Sequence, residues 1–347
     1  MNIIYENILD NGSIIASPTK DPDYNFHWVR DSAIVINSLI ENCDDNQEKD
    51  KHIKIFENYI NIELIHINHH AAEPKFNIDG TPYLGEWGRP QNDGPALRGI
   101  VCLKLINIIP FRLNSLLDII NNDIDYTINN IDKPCFDLWE ELYGYHLYTR
   151  IMQYAFLYKI KNNNKFKFNT INNNILNSSY KNITDHFSKT NDKIYSAYSC
   201  NGRILREYDA SLLLAFSFLQ YDIPNISIYT DRIQTYVNNM ILEFNTIYPI
   251  NKKLNIPFLG RYLNDNYFSG NPWLITTIAL FNYLYVLNKI EEYEEEFENF
   301  IKFIKSKHLI LPEQIDKNNG NNVSVEKLTW NYAELNLFTN KNLFSLF

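Results

Sequence analysis

Hydrophobic residues recur at helical spacing along most of this chain. The i, i+3, i+4 pattern predicts helices over residues 32–40, 53–67, 96–108, 147–160, 205–219, 226–244, 273–287, 293–304 and 328–338. The last of these is expected to run nearly to Phe347. Strand-like alternation is rare. Between the helices lie stretches rich in Gly, Pro, Asn and Asp, at 16–25, 74–95, 251–272 and 312–323. They are too long for plain connectors, and long ordered loops in a compact domain usually carry function. An Asn-rich, low-complexity stretch at 161–182 predicts a poorly specified helix with loops. The acidic run 291–298 predicts a solvated outer helix face with Tyr293 and Phe297 turned inward.

Many helices alternating with long loops predict an all-α fold of paired helices arranged in a ring. Inner helices would be apolar on most sides and outer helices amphipathic, with a pocket at the inner-helix ends. No linker or composition shift divides the chain, so residues 1–347 are expected to form one domain.

Composition sharpens this picture. The chain is 45% hydrophobic, enough for a sizeable core, and 14% aromatic, with 24 Tyr, 21 Phe and 5 Trp. Aromatic faces pack cores, and they also stack on the apolar C–H faces of sugars. The net charge is −9 and the basic residues are scattered, which argues against a nucleic-acid partner. No apolar run reaches the roughly 18 to 20 residues that span a bilayer, so no membrane partner is expected. The first residues, MNIIYENILDNG, lack a basic segment followed by an apolar one, and an intracellular location is the expectation. Cys43, Cys102, Cys135 and Cys200 show no metal-ligand spacing and read as free thiols.

Several short segments carry candidate chemistry. Glu140 follows Trp139, with Asp137 and Glu141 close by. Desolvation and like charges in such a setting raise a carboxyl pKa, which suits a general acid. Alone, the segment also reads as the acidic start of a helix. Glu313 lies on a loop between a helix ending near His308 and one starting near Val325. Inverting glycoside hydrolysis needs a second carboxylate about 6.5 to 9.5 Å from the first, with room for water. Arg30 and Asp31, side by side, supply a donor and an acceptor for vicinal sugar hydroxyls, although a local ion pair gives the same dipeptide. Residues 87–95 and 260–273 combine Trp, Gly, Pro and polar side chains, as ordered binding loops do. His66, His69 and His70 are at helix spacing, but no carboxylate or Cys spacing supports zinc, and no metal is expected.

Taken together, IASPTKDPDYNFHWVRDSA, EPKFNIDGTPYLGEWGRPQNDGPALR, FDLWEELYG, GRYLNDNYFSGNPW, and PEQ followed by LTWNYAEL resemble glycoside hydrolase family 15, the glucoamylases, and in particular the fungal type. The blocks stand in the family's order and span nearly the whole chain. The resemblance implies an (α/α)6 toroid with a funnel-shaped pocket, acting on α-glucan chain ends. It implies Glu140 as general acid and Glu313 as general base. Arg30 and Asp31 would grip the terminal glucose, and Arg261 that sugar or its neighbour. Tyr24 would sit near the reacting centre. Trp87, Trp139 and Trp330 would wall the pocket, and Glu141 would bind the next sugar. No cofactor is implied, and a monomer acting on an α-glucan is expected.

The chain also departs from the family. It is shorter, with a first helix reduced to a few residues before Ile15 and no starch-binding domain, which favours soluble glycogen or maltooligosaccharides. Residues 207–218 keep Asp209 and Ser211 but lack other residues usual there, so their share in the pocket is open. Pro312 replaces a small residue. Two other readings stay open: an inactive glucan-binding or regulatory toroid, and an enzyme acting on another α-glucoside such as trehalose.

Overall fold

The structure, a computed structural model, describes residues 3–43, 48–308 and 310–338. The expected extension of the last helix towards Phe347 lies outside them. The described residues form the helices α1 (Ile3–Glu6), α2 (Val29–Glu41), α3 (Lys49–Ile67), α4 (Gly94–Ile108), α5 (Leu113–Asn130), α6 (Leu147–Lys161), α7 (Asn173–Thr184), α8 (Ser211–Phe218), α9 (Thr230–Ile247), α10 (Pro249–Leu254), α11 (Leu274–Val286), α12 (Glu294–Ser306) and α13 (Thr329–Phe338).

Six of these close a ring. α2 packs on α4, α4 on α6, α6 on α8, α8 on α11, α11 on α13, and α13 returns to α2. Their sequences explain the position. α8 (SLLLAFSF) and α11 (LITTIALFNYLYV) carry no charge, and every residue of α8 is buried. Such helices have no wet face and must be covered on all sides. The outer helices α3, α5, α7, α9 and α12 have one apolar stripe each. α5 lies on α4 and α7 on α6. Phe281 of α11 meets Phe297 and Phe300 of α12, and Tyr283 reaches Gln234 of α9. The sixth outer position is held by α1, a single turn against α13. The fold is an (α/α)6 toroid, as the family resemblance implies.

Three elements differ from the sequence expectation. α5 was not predicted, because Asn and Asp crowd its sequence. Its apolar spacing is nevertheless helical, and Leu116, Ile119, Ile120 and Ile124 are buried. α7 is a regular helix of 12 residues that begins inside the low-complexity stretch and runs two residues past it, with the Asn172 side chain capping the N–H of Ile175 at 2.9 Å. The helix expected over 205–219 begins only at Ser211. Residues 204–206 instead form a strand, and the Asp209 carboxylate receives the N–H of Ser211 at 2.8 Å.

Short strands shape the loops that carry the site. β1 (His27–Trp28) pairs with β2 (Lys75–Phe76). β3 (Cys135–Phe136), β4 (Tyr143–His146), β5 (Ala197–Tyr198) and β6 (Ile204–Arg206) make an antiparallel sheet. β7 (Gln314–Ile315) pairs with β8 (Asn322–Val323). All of these loops meet at the N-terminal ends of the inner helices. No helix among the described residues is long and apolar enough to cross a membrane.

Candidate active site

The inner-helix N-termini form the floor of a cavity of about 860 Å³. Tyr24, Arg30, Asp31, Trp87, Trp139, Glu140, Glu141, Arg261, Glu313 and Trp330 all line it. Every site residue predicted from the sequence is therefore on one wall system, although these residues come from loops far apart in the chain.

Glu140 stands at the tip of the β3–β4 hairpin, not before a helix as its sequence suggests. It adopts a left-handed backbone with φ 68°, a conformation non-glycine residues adopt at a cost of about 1–3 kcal/mol. Asp137 holds it there. Its carbonyl receives the N–H of Glu140 at 3.0 Å, and its Oδ1 accepts the N–H groups of Glu141 and Leu142 at 2.8 and 3.0 Å. The Glu140 side chain is 18% exposed. Its Oε1 accepts the indole N–H of Trp28 and the amide of Gln91, both at 2.9 Å. An Nη2 of Arg30 lies 3.6 Å from the same oxygen. Oε2 makes no hydrogen bond among the described residues, so it is the oxygen left to carry a proton. The neighbouring acids do not supply the like-charge setting expected from the sequence. Asp137 pairs with Arg206 at 2.5 Å, and Glu141 with Arg206 at 3.0 Å and Arg261 at 2.7 Å.

Glu313 just precedes β7 and is buried, 1% exposed. Its following helix starts at Thr329 rather than near Val325. The carboxylate receives three donors: Tyr24 Oη at 2.9 Å, Ser324 Oγ at 2.5 Å and Gln314 Nε2 at 3.0 Å. Burial pushes its pKa above the usual carboxyl range, and the three hydrogen bonds only partly oppose that. A buried carboxylate with an elevated pKa is a stronger base than one in water.

The remaining walls divide into cavity-lining and supporting groups. Arg30 is clamped by Gln91 at 2.7 Å and Asp93 at 3.1 Å, so its fork has a fixed direction. Asp31 is pushed up to about 7 by burial, with Glu140 and Asp93 adding to it and Arg30 opposing. Arg261 binds Asp265 through two bonds of 2.7 and 2.8 Å as well as Glu141. The Trp139 indole donates to Asp209 at 3.0 Å, and that of Trp330 to Glu334 at 3.2 Å. Asp209 thus supports a wall from behind; it does not line the cavity. The same is true of Arg206, which the sequence reading missed. Two of its three carboxylate partners, Asp137 and Glu141, come from a distant segment, so the local sequence does not announce it. Trp28, Gln91, Asp93 and Tyr267 were also missed as individual groups, although Trp28 adjoins Arg30 and Asp31 and both Gln91 and Asp93 lie in a loop flagged by composition.

One group of potential metal ligands exists among the described residues: His27, Glu63 and His66, whose ligand atoms lie within 4.8 Å of one another. Its hydrogen bonds oppose a metal. The Ile14 N–H donates to Nδ1 of His27 at 3.1 Å, so the proton sits on Nε2, which faces Glu63 at 3.2 Å. Arg98 holds the other Glu63 oxygen at 2.9 Å. His66 stacks on Phe76 at 3.8 Å, while His70 faces Tyr126. The three histidines of the sequence pattern do not converge.

Comparison with known proteins agrees with this architecture. The profile of glycosyl hydrolases family 15 matches residues 2–336. Glucoamylase S1 of Saccharomyces cerevisiae is 30% identical, over 82% of this chain and 43% of its own length. The intracellular sporulation-specific glucoamylase of the same species is 30% identical, over 82% of this chain and 61% of its own. This chain thus spans roughly half the length of those relatives, and a larger share, 84%, of a probable glucoamylase of Schizosaccharomyces pombe that is 28% identical. Among solved structures, the glucoamylase of Saccharomycopsis fibuligera superposes with a TM-score of 0.80 at 20% identity, covering 99% of this chain and 94% of that one. The family 15 glucoamylase of Hypocrea jecorina gives 0.79 at 24%, covering 98% and 70%. By its sequence match over residues 2–336 and by its closed helical ring, the chain belongs to glycosyl hydrolase family 15.

Proposed function

We propose that the chain is an inverting exo-hydrolase of α-1,4-glucosidic bonds, slower on α-1,6 bonds. It would release β-D-glucose from the non-reducing ends of glycogen, starch or maltooligosaccharides. The observation that carries this reading is the pair of carboxyls on one cavity in contrasting settings. Glu140 has one oxygen fixed by donors and one free. Glu313 is buried and fed by three donors.

Glu140 delivers a proton from Oε2 to the glycosidic oxygen as the bond breaks. Glu313 takes a proton from a water that attacks the anomeric carbon from the opposite face. Arg30 and Asp31 hold the hydroxyls of the terminal glucose. Tyr24 and Tyr267, whose hydroxyls lie 3.2 Å apart, place the water and face the developing oxocarbenium charge. Trp87, Trp139 and Trp330 stack on the sugar faces, and Glu141 and Arg261 meet the next unit. Both proton transfers are supplied by side chains, so the reaction runs without a cofactor. The similarity to proteins named glucoamylases supports the same substrate class.

The test is to incubate the protein with maltotriose and follow the anomer of the glucose set free. β-Glucose supports inversion at the Glu140–Glu313 pair. A predominance of α-glucose contradicts it. No release by the wild type, with binding retained, would instead favour an inactive glucan-binding toroid.

A further inference from the structure

The cavity contains a cation that the mechanism above does not use. Lys75 is buried, 2% exposed, and opens β2 directly opposite Trp28 of β1. Its ammonium is boxed by four aromatic rings, with centroids at 4.1 Å for Phe26, 4.6 Å for Trp28, 4.2 Å for Tyr83 and 3.6 Å for Trp87. No carboxylate lies within 4.0 Å of it, and Nζ makes no hydrogen bond among the described residues. A buried ammonium without a counter-ion is costly, and here four ring faces take the place of an anion.

One of those rings is also the donor to Glu140. A cation on the face of an indole draws electron density from it and makes its N–H more acidic. An N–H so polarised is a stronger hydrogen-bond donor, as in other charge-assisted bonds. We propose that Lys75 is a positioning residue for Glu140: its caged ammonium acts through the Trp28 indole to strengthen the N–H···Oε1 bond that fixes the carboxyl and leaves Oε2 to the substrate. This rests on the assignment of Glu140 as proton donor.

The charges around the pair are few. Glu140, Asp23 and Arg89 are the ionic groups that act on Lys75, and burial brings its pKa down to about 8. Arg30 lies closest to Glu140, with Asp31 also acting on it. Arg30 keeps its charge over the working range, so removing the Lys75 charge is the change that isolates the relay.

The experiment uses the full chain labelled with 15N-tryptophan, in which five indole signals are expected from the five Trp residues. Trp28→Phe identifies the Trp28 signal. That signal is followed as a function of pH. In Lys75→Met, of similar shape and no charge, it should shift upfield and its midpoint should move to higher pH. Lys75→Arg should restore both, and Lys75→Gln serves as the neutral variant where Met does not fold. In kinetics on maltotriose, the basic limb of the kcat profile should follow the same alkaline shift, with kcat falling about tenfold and KM changing less than twofold. In a Trp28→Phe background the Lys75→Met effect on the limb should shrink to the part that direct attraction between Lys75 and Glu140 carries. A Trp28 signal that neither shifts nor changes midpoint in the neutral variants overturns the proposal, as does a limb shift that is undiminished without Trp28. The indole readout needs no turnover, so a failure of the hydrolase reading would show separately as absence of glucose release.

Discussion

At the scale of single residues, the two carboxyls should respond differently to amide replacement. Glu140→Gln removes the proton but keeps the acceptor for Trp28 and Gln91. It should lower kcat by about 10²–10⁴-fold, the usual contribution of one acid or base, with KM for maltotriose little changed. Initial-rate measurements decide this, and a fall of less than tenfold would remove Glu140 from the acid role. Asp31 offers a stability test. Burial raises its pKa from 3.8 to about 7. The fold therefore favours the protonated form. The cost of holding the ionised form is absent below pH 4, grows between pH 4 and 7, and is constant above. Asp31→Asn should accordingly gain stability relative to wild type across that window and no further beyond it. Urea unfolding at several pH values would check it, and a flat difference would contradict the buried-charge account.

At the scale of elements, the β3–β4 hairpin is the device that presents Glu140 to the cavity. Its tip depends on Asp137, which closes the turn with three backbone contacts and meets Arg206. Asp137→Ala takes away the carboxylate that accepts the N–H groups of Glu141 and Leu142 and leaves part of a buried cation uncompensated. Breaking one partner of a buried pair costs about 3–5 kcal/mol. Here Arg206 keeps Asp209 and Glu141, so a loss near the lower end, about 3 kcal/mol, is expected in chemical denaturation. Activity should fall with it, since Glu140 has a left-handed backbone that only the closed turn maintains. Neither effect is readable from the local sequence, which resembles an acidic helix start. The same holds for residues 204–206. Their apolar spacing suits a helix, but pairing with β5 and the pull of Asp209 on Ser211 make them a strand and delay α8.

At the scale of the whole molecule, the inner and outer rings are pinned together at Arg98. This inner-helix residue binds Glu63 of α3 at 2.9 Å and Asp123 of α5 at 2.9 and 2.5 Å, all buried. Arg98→Met leaves the buried Asp123 carboxylate without its cation and Glu63 with only His27 and His66, and should lower the unfolding free energy by about 3–5 kcal/mol. The cavity walls would be untouched, so KM at low temperature should stay close to wild type. A variant as stable as the parent would show that the network does not tie the rings.

Helical periodicity, the loops of Gly, Pro and Asn between helices, and the pairing of Trp with acids were legible in the chain. They led to a ring of paired helices, because hydrophobic spacing and loop composition are local properties, and the resemblance of five sequence blocks to family 15 supplied the ten residues that line the cavity. α5 was legible too, through the spacing of Leu116, Ile119, Ile120 and Ile124, but its Asn-rich sequence obscured the pattern. What only the tertiary structure decided are the partners. The bonds of Trp28 and Gln91 to Glu140, of Tyr24 to Glu313, of Arg206 to Asp137 and Glu141, and the contacts of Lys75 with Phe26 and Trp28 join segments far apart in the chain. Burial and charge neutralisation act through space, and a linear sequence carries no distance between such groups until the ring closes.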